Sequence, residues 1–169
     1  MNVAIDFHIY KSSNNYLTIK EYAIIELNPY TRENTVLEHN VVLPNDNWEK
    51  LSEISKNSYA REAQLFGISW DFGNIEYNTM VENFNTYLSI CSRVFVRDET
   101  IKNCIINLFD VDLLVVNIIV LSELGYIEIF PKGSTCNYHD NTESNCAMVN
   151  AKNMLNWYIE YFNILFPFK

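Results

Sequence analysis

The chain has no run of about 18 uncharged apolar residues, so a membrane-spanning helix is excluded on length. Its longest apolar stretch, Leu113 to Leu121, is short and interrupted by Asn117. Basic residues are also few. Twelve Lys and Arg stand against 21 Asp and Glu in 169 residues, a net charge of -9. This balance argues against a diffuse basic surface for non-specific nucleic-acid binding, and any contact with phosphate has to be local or pass through a metal ion. Cysteine is too sparse for a disulfide scaffold. Cys91 and Cys104 sit in apolar patterns and read as buried thiols. The first ten residues lack a basic start and a small-residue cleavage site, and the chain has no Asn-X-Ser/Thr acceptor. These absences together lead us to expect a reduced, intracellular protein.

What is present is a globular composition, 49% hydrophobic and 20% charged, of a length suited to one domain over residues 1–169. Val3, Ile5, Phe7 and Ile9 alternate with Ala4, Asp6 and His8, the period of a strand. A hairpin loop is read over Lys11 to Asn15. Leu17 to Leu27 alternates again, with Leu17, Ile19, Ala23, Ile25 and Leu27 on one face, and Asn28-Pro29 ends it. Thr35 to Leu43 is a third strand closed by Pro44, which favours an antiparallel meander.

The pattern then turns helical. Asn45 to Asn47 can cap a helix bearing Trp48, Leu51 and Ile54, and Gly67 breaks the chain. Asn78 can cap a second helix carrying Val81, Phe84 and Leu88. Arg93 to Val96 is a short strand, and a third helix carries Ile101, Ile105 and Leu108. Leu113 to Leu121 suits a central strand buried on both faces. A polar loop spans Lys132 to Asn145. The last helix starts near Asn145 and shows Ala147, Asn150, Met154, Trp157, Tyr158, Tyr161 and Leu165 on one face. The expected class is α/β: one mixed five-stranded sheet, three antiparallel strands first, flanked by helices.

Three polar features stand in apolar places. Asp6 lies mid-strand beside Ala4 and His8, where a carboxylate needs pairing, water or metal. Glu21 has aliphatic neighbours and Lys20 points away from it, so a hydrogen bond to a loop or helix end is its simplest role. Asn150 sits on the inner face of the last helix, where an amide needs partners. Separately, Cys136-x-x-His139 followed by Cys146 offers thiol and imidazole groups suited to zinc. A closed site needs a fourth ligand, for which Asp140, Glu143, a distant histidine or water are available.

The order of elements resembles the RNase H-like fold of DEDD-type 3′-5′ exonucleases, with Ile5-Asp6-Phe7-His8 in the place of that family's Asp-x-Glu strand and Ile19-Lys20-Glu21-Tyr22-Ala23-Ile24 in its second strand. Phe66-Gly67-Ile68-Ser69-Trp70 and the Cys136-Asn137-Tyr138-His139…Cys146-Ala147-Met148-Val149-Asn150 signature are similar to those of short uncharacterised proteins of insect genomes and insect-associated viruses. That likeness runs from about Val3 to Trp157. The resemblance implies a two-metal nuclease centre of about four carboxylates around magnesium or manganese. Only Asp6 matches an acid. His8 stands at the second position, Asn103 at the third, and Cys146 or Asn150 at the fourth. The implied function is a catalytically degenerate exonuclease-like module that binds a protein partner or a nucleic-acid end. The alternatives are an active nuclease with a rearranged site, and a zinc-stabilised structural or interaction domain with Cys136, His139 and Cys146 as ligands.

Overall fold

The computed structural model describes residues 1–11, 17–109, 111–127, 136–139 and 146–165. The hairpin loop beyond Lys11, Asp140, Glu143, Asn145 and most of the polar loop lie outside these residues, as does the side chain of Leu165. The chain is an α/β protein with one five-stranded mixed sheet. Its strands are β1 (Asn2–Lys11), β2 (Leu17–Leu27), β3 (Asn34–Val41), β4 (Arg93–Val96) and β5 (Asn117–Val120). Its helices are α1 (Glu53–Phe66), α2 (Tyr77–Ile90), α3 (Glu99–Leu108) and α4 (Ala147–Leu165). The strand order is β3-β2-β1-β4-β5. β2 runs antiparallel to β1 and β3, while β4 is parallel to β1 and β5 parallel to β4.

Alternation along β1 separates the two faces of the sheet. Val3, Ile5 and Phe7 join Met80, Phe84 and Leu88 of α2 and Ile101 and Ile105 of α3 in one core. The rings of Phe7 and Phe84 lie 5.3 Å apart. Ala4, on the opposite face, joins Ala23, Ile25 and Phe95 under Ala147, Ala151, Met154 and Leu155 of α4. The two alanines of α4, spaced one turn apart, let that helix lie close over the strands. Asp6 and His8 share the face of Ala4, so both look toward α4.

Four expectations change. Leu17 and Ile19 leave the face of Ala23, Ile25 and Leu27 and pack on the α2–α3 side. His8 pairs with Glu21 but Ile9 pairs with Ile19, which makes Lys20 the extra residue of a β-bulge and inverts the alternation there. The first helix is not capped by Asn45 to Asn47. The Asn47 side chain instead accepts from the Glu49 N–H at 2.9 Å over a short 3-10 turn, Trp48–Lys50. Ser52 caps α1 by accepting from the Ser55 N–H at 3.2 Å, and Gly67 ends it in the left-handed region, φ 65°. Asn78 lies inside α2, which Glu76 precedes.

The largest change concerns Leu113 to Leu121. Only Asn117–Val120 is strand, and it lies at the edge of the sheet; β1 is the central one. Leu113, Leu114 and Val115 are exposed. The Asp112 side chain accepts from the Leu114 N–H at 2.9 Å, a local bond that stabilises a turn in competition with a ladder.

Candidate metal centre

Glu21 is wholly buried in the middle of β2, and its carboxylate gathers groups from four other segments. His8 is its direct partner across the β1–β2 ladder and brings Nδ1 to 2.7 Å from Oε2. His39, diagonal to it on β3, brings Nε2 to 2.7 Å from Oε1. His139 Nε2 lies 3.1 Å from the same oxygen. The Cys146 thiol donates to Oε1 at 3.5 Å, and the Ala147 N–H at the start of α4 donates to Oε2 at 3.2 Å. The sequence has three histidines, and all of them meet this one carboxylate.

Two overlapping ligand sets result. Glu21, His39, Cys136 and Cys146 each offer an atom within 4.8 Å of the others, and His8, Glu21 and His139 do the same. In the first set the Cys136 and Cys146 sulfurs lie 3.7 Å and 3.8 Å from His39 Nε2. A tetrahedral zinc with ordinary bond lengths separates sulfur and nitrogen ligands by about 3.6 Å. The donor set, two thiols, one imidazole and one carboxylate, has the chemistry of a zinc site and not of a magnesium site.

The charges around Glu21 are strongly coupled. Burial opposes its ionisation, but His8, His139 and His39 around it hold its carboxyl well below the usual carboxylate range. Burial likewise opposes charge on His39 and His139. Contacts with Cys146 and Glu21 overcome that and lift them to about 9 and about 10 respectively. The two thiols divide their titration: the Cys136 contact and burial push Cys146 up to about 12, while the same contact lowers Cys136.

Asp6 occupies a separate corner of the same face. Its Oδ2 accepts from the Asn150 amide at 2.9 Å, and Arg97, just past β4, brings Nε to 3.4 Å from Oδ1 and 3.2 Å from Asp98 Oδ2. Of the residues singled out from sequence, Asp6 and Asn150 therefore meet. His8, Cys136, His139 and Cys146 gather around Glu21 instead. Asn103 joins neither group: it is exposed on α3, which packs against the other face of the sheet.

Sequence reasoning named a distant histidine without identifying His39, and missed Arg97. The signal for His39 was the two-residue offset that places it beside Glu21 once β2 and β3 are in register. Arg97 follows β4 directly, at the strand end nearest Asp6, and gave no such signal. No family model and no curated protein matches the chain. Among the described residues, no helix is long and apolar enough to cross a membrane.

Proposed function

We propose that this chain is an exonuclease-like domain whose nuclease centre has been dismantled, fastened by zinc and used to bind a protein partner. The observation that carries the loss of catalysis is the company of Asp6. Two-metal phosphoryl chemistry needs carboxylates converging on a pair of hard cations. Here the carboxylate faces an amide and a guanidinium. A guanidinium is always charged, and it takes the electrostatic place a magnesium ion would need. The element order, three antiparallel strands followed by helices and two parallel strands, supports the exonuclease-like reading.

The test uses labelled single-stranded DNA and RNA with magnesium or manganese. No cleavage above background is expected. Cleavage that Asp6→Ala abolishes establishes the rearranged nuclease and overturns this reading.

The fastening role rests on Glu21, His39, Cys136 and Cys146. A tetrahedral zinc there joins β2, β3, the 136–139 segment and the start of α4, and such a site adds its binding energy to folding. Elemental analysis of protein purified without added chelator is expected to find zinc bound to the chain. A content near zero, with no loss of thermal stability in chelator, overturns it. The net charge of -9 favours a protein over naked nucleic acid as partner. Exposed Leu113, Leu114 and Val115 beside the edge strand supply apolar surface for one.

A further inference from the structure

We infer that His8, His139 and Glu21 hold a second divalent cation beside the sulfur site, with the Glu21 carboxylate bridging the two ions. The inference rests on the zinc reading above and extends it, because one ion in the sulfur site leaves two imidazoles unexplained. Oε1 has two lone pairs, yet His39, His139 and Cys146 all converge on it at 2.7, 3.1 and 3.5 Å. An ion bound by Cys136, Cys146, His39 and Glu21 accounts for two of these approaches. It does not account for His139, nor for His8 on the other side of the carboxylate.

The tautomer of His139 points the same way. Its Nδ1 contacts the Phe66 carbonyl, which can only accept, so Nδ1 carries the proton. Nε2 then holds its proton toward Glu21 in the metal-free chain, and a cation that displaces that proton meets the Nε2 lone pair. Histidines that bind metal commonly fix their second nitrogen on a carbonyl in this way. Without a proton or a cation between them, that lone pair and the carboxylate oxygen repel.

His8 supplies the independent observation. It is 2% exposed, and its ring stacks on Phe66 with centroids 4.4 Å apart. Its Nδ1 lies 2.7 Å from Glu21 Oε2, yet neither ring nitrogen makes an aligned hydrogen bond among the described residues. Closeness without alignment is the relation between two ligands of one cation, since their lone pairs aim at the ion and not at each other. The ligand atoms of His8, His139 and Glu21 lie within 4.8 Å of one another, against about 3.4 Å between nitrogen and oxygen ligands of a tetrahedral zinc. The two approaches to the carboxylate, 2.7 and 3.1 Å, fall inside that spacing, and a slight outward movement opens the set around an ion. Three protein ligands leave a fourth position for water. A hydroxide there balances two dications against two thiolates and one carboxylate. Imidazole ligands select zinc or cobalt over magnesium.

The experiment takes the full chain freed of metal, loads it with zinc or with cobalt, and measures bound metal per chain after gel filtration. Two ions per chain are expected. In the cobalt titration the sulfur-to-cobalt charge-transfer band saturates with the first ion, while the second adds only weaker visible absorption. His8→Gln and His139→Gln are each expected to lower the content from two ions to one with the charge-transfer band retained. A content of one ion in the wild-type chain, with that band present, overturns the second site and leaves the zinc reading standing. No bound ion overturns both. The wild-type content decides the matter even where a variant fails to fold.

Discussion

Lys20 shows how a single side chain in an unfavourable place is satisfied. Turned inward by the bulge in β2, its ammonium donates to the carbonyls of Val42 at 3.1 Å and Trp70 at 2.7 Å, and to that of Phe72. Three donors meet three acceptors, the full capacity of an ammonium. Burial lowers its pKa to about 8, against the pull of Asp71, so the group stays largely charged at neutral pH. Lys20→Met removes every donor and strands the carbonyls. A loss of about 2–4 kcal/mol is expected in urea unfolding. Asp6 is held by a comparable arrangement. Arg97→Ala leaves its buried carboxylate beside the Asn150 amide without the guanidinium, and about 1–3 kcal/mol of stability should go with it. Adding Asp6→Asn to that variant should restore part of the loss, because it removes the charge that needed balancing. A double variant no more stable than the single one in the same unfolding measurement would contradict this account.

Elements were legible in the sequence where alternation or helical spacing was uninterrupted, and illegible where one local bond outweighed the pattern. The first four strands and the last three helices stand close to where periodicity places them. The two errors of facing have separate causes. Lys20 adds one residue to β2, and a period-two reading has no means of registering an insertion that only pairing with β1 reveals. The apolar run before β5 reads as buried, but Asp112 bends it into a turn. Leu114 is consequently 97% exposed, and Leu114→Asp is expected to change stability by less than about 0.5 kcal/mol in chemical denaturation. A partner that uses this surface would lose affinity at the same substitution. The start of α1 was misplaced because Asn47 and Ser52 are both competent caps, and only the extended backbone at Leu51 between them separates the turn from the helix. Ser52→Ala should cost about 1 kcal/mol. The candidate site was half legible: Cys136, His139 and Cys146 were visible as a local motif. Glu21 was visible as an oddity, and one of its expected roles, a bond to a helix end, is realised by the Ala147 N–H. Its assembly with His8 and His39 depends on strand register, which sequence spacing does not contain.

At the scale of the molecule, the Glu21 centre sets how stability varies with pH, and the direction differs with and without metal. In the metal-free chain His39 and His139 titrate near 9 and 10 against an ordinary 6.5. Raised values mean that their stabilisation is complete below 6.5 and is lost as pH rises through 9 to 10. Glu21 titrates below its ordinary 4.5, so its contribution is complete above 4.5 and is lost only in stronger acid. Thermal unfolding in chelator should therefore show the midpoint falling by several degrees from about pH 6.5 to about pH 9.5. With zinc present the trend should flatten or reverse, because thiols and imidazoles must shed protons to bind the ion. Identical slopes in the two conditions would count against a metal at this carboxylate. The same centre also imposes an order of assembly. Glu21 and Cys146 are separated by 125 positions in the chain, and His39 lies near the first of them. A polypeptide leaving the ribosome thus exposes its early ligands long before their late companions are synthesised, and the clasp can shut only once Cys146 has emerged.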